Sequence, residues 1–136
     1  MELTKIEEPF VFEVENEDGL TCIMDASEAI GGKKKGMRPM ELLAASLAGC
    51  ASIDITRILT KKRIPTEQFS IAIEAKRSDS LPSPFEWIQL NISVDSNLDR
   101  EKVKKVVEAV LDKYCSVSAS LNKAISIRYS INDQSV

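Results

Sequence analysis

The 136-residue chain contains no histidine. Without imidazole there is no Ser-His-Asp hydrolysis, no Cys-His dyad, no histidine acid-base catalysis and no His-containing zinc or haem site. Polar chemistry therefore falls to Cys, carboxylates, Lys, Arg and Tyr. Aromatic residues are scarce, at 5%, and 18 basic residues are scattered among 21 acidic ones for a net charge of -3. That pattern disfavours nucleic-acid binding. The three cysteines, Cys22, Cys50 and Cys115, form no C-x-x-C pair, so a four-ligand metal site lacks its ligands and no metal or other cofactor is expected. The longest mostly apolar stretch, Leu42 to Ile55, is interrupted by Asp54 and at about 14 residues falls short of the roughly 20 that cross a bilayer. No membrane span is expected. The opening MELTKIEEPF lacks a basic segment followed by an apolar run, so no secretory signal is expected; the expected location is the cytoplasm, with the thiols reduced.

What is present is the composition of an ordinary globular protein, 43% hydrophobic and 29% charged, with neither an internal repeat nor a dividing linker. One domain over residues 1–136 is expected. Phe10, Phe12 and Val14 alternate, Asn16-Glu17-Asp18-Gly19 carries turn chemistry, and Leu20, Cys22 and Met24 alternate again. This predicts a β-hairpin. A glycine-flanked basic loop, Gly31-Gly32-Lys33-Lys34-Lys35-Gly36, follows; a run of like charge predicts a solvated loop, with an anion cradle as the sharper alternative. Pro39 suits the first turn of a helix that runs to about Lys61. Its Ala44 to Ser52 stretch is mostly small, with no broad polar face before Arg57, which predicts burial nearly all round.

Phe69 to Arg77 and Phe85 to Val94 alternate as strands across a proline-containing loop, with Phe85 and Trp87 expected on one face. Asp99 is placed to cap a helix whose stripe is Val103, Val106, Val107, Val110 and Leu111. Tyr114-Cys115-Ser116 interrupts it, a short helix capped by Ser116 reaches Ala124, and Ile125 to Ile131 alternates as a last strand. The predicted order is ββ-α-ββ-α-(α)-β, an α+β fold.

A cysteine inside an apolar helix or strand packs as a small hydrophobe, and that is the plain reading of Cys50 and Cys22. Cys115 differs, because a position at the start of a helix exposes it to N–H groups that favour a thiolate. An inert and a reactive role are both open to it.

The run Pro39-Met40-Glu41-Leu42-Leu43-Ala44-Ala45-Ser46-Leu47-Ala48-Gly49-Cys50, with Cys115-Ser116-Val117-Ser118 after the second main helix, resembles the OsmC/Ohr family of thiol peroxidases. Lys113-Tyr114-Cys115-Ser116-Val117 and Cys50-Ala51-Ser52-Ile53-Asp54 are most similar to its YhfA-like branch. The resemblance implies an OsmC-like fold forming an intertwined homodimer with central buried helices and sites between subunits. It further implies Cys50 as the peroxidatic and Cys115 as the resolving cysteine, with a small-molecule hydroperoxide as substrate and an external dithiol as reductant. Oxidation would link Cys50 to Cys115 and leave Cys22 free.

Two departures stand out. Family peroxidases place a Glu ten residues before the first cysteine and an Arg on an N-terminal segment; here position 40 is Met, and no Arg precedes Arg38. Glu41 lies about 180° round an ideal helix from Cys50 and is expected to complement the helix N-terminus instead. Arg57 is the other candidate cation, and Asp54, one turn from Cys50, opposes thiolate formation unless Arg57 pairs with it. The expected function is a Cys50/Cys115 hydroperoxide reductase in oxidative-stress defence. The alternative is a non-catalytic dimeric module that binds an apolar or thiol-bearing small molecule.

Overall fold

In the computed structural model, which describes residues 1–64 and 66–135, the chain forms two compact units, Met1–Leu43 and Ala44–Val136. The first is a three-stranded antiparallel sheet in the order β1-β2-β3, with β1 at Glu2–Glu7, β2 at Val11–Glu15 and β3 at Thr21–Met24. The expected hairpin is β2–β3. Its turn is closed as the sequence suggests, by the Asn16 side chain accepting from the N–H groups of Asp18 (3.0 Å) and Leu20 (2.9 Å), with Gly19 at φ 76°. Strand β1 was not expected. It is a mostly exposed edge strand, ELTKIE, so it carries no apolar alternation to betray it. The β1–β2 register shifts between Lys5 and Glu7, and Val11 rather than Phe10 is the fully buried side chain.

The segment after β3 is organised by Asp25, only 2% exposed. Its carboxylate accepts backbone N–H groups from Ala26 (2.7 Å), Lys33 (2.8 Å) and Lys35 (3.2 Å). Burial alone would push this carboxyl up, but the N–H groups of Lys33, Lys35 and Ala26 outweigh it and hold the pKa below its ordinary 3.8. Two glycines let the loop lie against the strand: a Cβ on Gly32 would stand 2.0 Å from the Ala26 carbonyl oxygen, and one on Gly36 2.5 Å from that of Ile23. The three lysines do not form an anion cradle. Lys33 and Lys35 both pair with Glu7, and Lys34 pairs with Glu28 at 2.7 Å.

Helix α1, Pro39–Lys61, has the expected bounds. Its start carries half of a capping box, in which Glu41 accepts the backbone N–H of Arg38 at 2.8 Å and binds the Arg38 guanidinium. In the single chain the helix is buried on one face rather than all round: Ala44, Leu47, Ala48, Ala51, Ile55 and Leu59 are buried, whereas Ile53 is 68% exposed. At 23 residues it is longer than its uninterrupted apolar run, and by length and composition it is a candidate to cross a bilayer, a test that soluble core helices also pass. Three of its hydroxyls are spent internally, Ser52 on the Ala48 carbonyl (2.7 Å), Thr56 on Ser52 (2.8 Å) and Thr60 on Thr56 (2.9 Å).

The second unit contains a four-stranded sheet, order β4-β5-β6-β7, from β4 (Phe69–Arg77), β5 (Phe85–Val94), β6 (Ser126–Ile131) and β7 (Gln134–Ser135). β5 and β6 run parallel, so the chain between them is a crossover. It is built from α2 (Arg100–Ala109), a π-helical turn (Val110–Tyr114) and α3 (Ser116–Ser120). Asp99 caps α2 by accepting from Glu101 (3.1 Å) and Lys102 (3.3 Å), and Val103, Val106, Val107 and Val110 are buried as expected. The Tyr129 hydroxyl of β6 donates to Glu108 at 3.1 Å; burial and that carboxylate push its pKa up to about 12.

Three expectations change here. β7 is an added strand too short to be read from its residues. The short helix is capped by Cys115 rather than Ser116 and ends at Ser120. Phe85 and Trp87 do not share a face, because a bulge sets Arg77 opposite Phe85 and Lys76 opposite Trp87; Phe85 is buried while Trp87 lies half-buried beneath the Arg128 guanidinium, 5.3 Å from its ring.

Because the folded Asp25 carboxyl ionises more readily than its ordinary value of 3.8, its stabilisation is fully present above that value and lost as pH falls through the lower, folded one. Urea midpoints measured from pH 7 downward will show Asp25→Asn less stable than the native protein at neutral pH, the gap narrowing as the medium is acidified. A gap independent of pH would show that Asp25 does not carry this dependence.

Candidate functional site

The second unit brings two of the three cysteines together. Cys50 sits in the middle of α1, half-buried, and Cys115, 3% exposed, stands at the junction of the π-turn and α3. Their side chains are near enough for Cys50 to act on Cys115 both through hydrogen bonding and through its charge. Both thiols are free.

The backbone explains how Cys115 reaches this place. In a continuing α-helix it would lie about 140° round from Val110, away from the valine stripe. The helix instead widens by one residue, the Cys115 N–H bonding to the Val110 carbonyl five positions back at 2.9 Å. Cys115 then leaves helical geometry (φ -71°, ψ 104°), and its sulfur accepts the Ser118 N–H at 3.4 Å as the cap of α3. Ser118 Oγ donates to the Leu111 carbonyl, 3.1 Å away. Neither the π-turn nor Ser118 figured among the expected site features. The signal available was the five-residue step from Val110 to Cys115, where a regular stripe steps by three or four.

The helix-start argument for a Cys115 thiolate is overturned by burial. Removal from water pushes the Cys115 thiol up, hydrogen bonding to Cys50 and the Cys50 charge push it further, and the Ser118 and Val117 N–H groups only partly offset them. Cys115 is thereby held as the thiol.

The other candidates are placed differently. Arg38 and Glu41 are engaged with one another at the helix start, which satisfies the expectation that Glu41 complements the helix N-terminus. Arg57 is exposed and Asp54 half-buried, and they form no ion pair with one another. Cys22 belongs to the first unit, half-buried on β3 opposite Val14. Among the described residues no cluster of three or more Cys, Asp or Glu side chains is arranged to hold a metal.

Comparison with known proteins gives concordant results. The profile described as OsmC-like protein matches residues 31–130. Protein YhfA from Escherichia coli is 30% identical over 124 residues, 90% of each chain. Among solved structures, an osmotic stress induced and detoxification response protein from Psychrobacter arcticus superposes with a TM-score of 0.86 at 21% identity, over 96% of this chain and 93% of that one. The organic hydroperoxide resistance protein OsmC of Legionella pneumophila does so with a TM-score of 0.73 at 19% identity, again over 96% and 93%. At such identities the two structures establish a shared fold.

Labelling with iodoacetamide across pH, followed by peptide mass, will give Cys115 a midpoint above its ordinary 9.0. Cys50→Ala will lower that midpoint, since it removes two of the influences that raise it. An unmoved midpoint would show that the thiols do not interact.

Proposed function

The chain belongs to the OsmC-like family, and on that premise we propose that it is a thiol-dependent hydroperoxide reductase working through Cys50 and Cys115. The observation that carries this reading is the pairing of a half-buried thiol on α1 with a buried, protonated thiol on the crossover.

The difference in burial between the two cysteines supports this division of roles. A thiolate is the attacking species, and Cys115 is held as thiol, so Cys50 attacks the O–O bond. One oxygen stays on sulfur as Cys50–SOH, and the other leaves with a proton as the alcohol. The Cys115 sulfur then attacks the Cys50 sulfur, the S–O bond breaks, and the oxygen departs as water with the Cys115 proton. The resulting disulfide is reduced by two thiols of an external dithiol, which is itself oxidised to a disulfide. Reduced resting thiols suit a cytoplasmic location.

The Arg38–Glu41 pair and Met40 favour a second reading, a binding module that retains the thiols without rapid peroxide chemistry, because both charges of that pair are already engaged. Titration of the pure reduced protein with an organic hydroperoxide, followed by intact mass and thiol counting, separates the two. The reductase consumes one equivalent and loses two thiols as a Cys50–Cys115 disulfide; the binder keeps all three. Cys50→Ser will abolish consumption, and Cys115→Ser will allow a single turnover that ends in a trappable sulfenic acid. Full turnover by Cys50→Ser would end the reductase reading.

The working form is a homodimer in this proposal. α1 leaves Leu43 and Ile53 exposed, and a Cβ on Gly49 would meet nothing within 4 Å, so this face has room for a second apolar surface. Sedimentation at micromolar concentration will give twice the 15.1 kDa chain mass, and Ile53→Asp will shift the population towards monomer. A native mass of one chain would refute the dimer.

A further inference from the structure

We propose that Ser118 is a positioning residue for the Cys115 sulfur, setting how readily that sulfur closes on Cys50. The inference rests on the reductase reading and deepens its second step.

Ser118 makes two contacts that point in different directions. Its backbone N–H donates to Cys115 Sγ at 3.4 Å, and its hydroxyl donates to the carbonyl of Leu111 at 3.1 Å. Leu111 lies within the π-turn, Val110–Tyr114. Because the helix stops at Tyr114, carbonyls of its last turn need donors from outside it, and Ser118 supplies one. The serine therefore ties the turn before Cys115 to the turn after it, with the cysteine between. Two further bonds close the same segment: the Cys115 N–H to Val110 at 2.9 Å, and the Ala119 N–H to the Cys115 carbonyl at 3.0 Å. Both are main-chain bonds that any residue could make, so apart from the Cys115 sulfur itself the Ser118 hydroxyl is the side-chain-specific tie among these contacts.

Proximity alone does not make two thiols a good pair. Forming the bond converts two thiols to a disulfide, and the effective concentration of one sulfur at the other depends on how narrowly each is held. Removing the hydroxyl leaves the Ser118 N–H in place but releases the turn that presents it. Cys115 then samples a wider range of positions, few of which lie on line with Cys50.

The test equilibrates the reduced protein with mixtures of reduced and oxidised glutathione, in which protein dithiol and oxidised glutathione give protein disulfide and two reduced glutathiones. The ratio of internal disulfide to protein–glutathione mixed disulfide reports the effective concentration and needs no hydroperoxide. Ser118→Ala will lower it about tenfold, the worth of one hydrogen bond, and prolong the Cys50 sulfenic acid by a like factor after a pulse of hydroperoxide. Ser118→Thr will restore the ratio. Should Ser118→Ala fold poorly, Ser118→Thr against Ser118→Val isolates the hydroxyl at nearly constant shape, with Val expected to show the tenfold loss. A ratio within twofold of native for Ala, equal ratios for Thr and Val, or no Cys50–Cys115 bond in the native protein would each overturn the proposal. Failure of the native protein to consume hydroperoxide overturns the reductase reading instead and leaves the glutathione ratio to decide the role of Ser118.

Discussion

One backbone hydrogen bond, from the Cys115 N–H to the carbonyl of Val110, fixes where the second thiol points. Had the ladder continued with its four-residue step, the valine stripe would have kept its phase and Cys115 would have turned away from it. The five-residue step costs the regular geometry of one turn and returns a buried sulfur on the same side as Val110. Burial does two things at once: it brings the sulfur beside Cys50, and it keeps the Cys115 proton on. Proximity to Cys50 and the raised Cys115 pKa share one origin.

The first unit shows a similar economy around a carboxylate. Three main-chain donors converge on Asp25, and two of them, Lys33 and Lys35, come from the stretch whose lysines look in sequence like a cationic patch. The charges of those lysines are taken up by Glu7 and Glu28, while their backbone does the organising. A run of like charge thus serves as a scaffold through its amides rather than as a binding surface through its side chains.

How much of this was legible from the residues follows the strength of each local signal. α1, β4 and β5 have the bounds read from the sequence, because Pro39 starts the helix cleanly and period-two alternation runs from Phe69 to Ala75 in β4 and from Ile88 to Val94 in β5. β1 was missed because an exposed edge strand has no buried face to write into its sequence. The cap of α3 was placed one residue late, since Ser116 is the better capping residue by type while the π-turn hands that position to Cys115. The pairing of Cys50 with Cys115 came from family resemblance; periodicity could not have supplied it, because a change of helical pitch breaks the arithmetic that periodicity relies on. The one-sided burial of α1 departs from expectation for a different reason: small residues such as Ser46 and Gly49 read as packable wherever they fall, and both are exposed.

The parallel pairing of β5 with β6 has a consequence for biogenesis. Sixty-five residues separate the two thiols, and at synthesis rates of about 5–20 residues per second Cys50 precedes Cys115 by several seconds. Parallel pairing further requires that the whole crossover be laid down before β6 can dock. During that interval the nascent chain carries a cysteine without its mate, open to capture by glutathione or by a neighbouring polypeptide. The order of the elements along the chain thus leaves Cys50 exposed for the whole time it takes to make the crossover that buries its neighbour thiol.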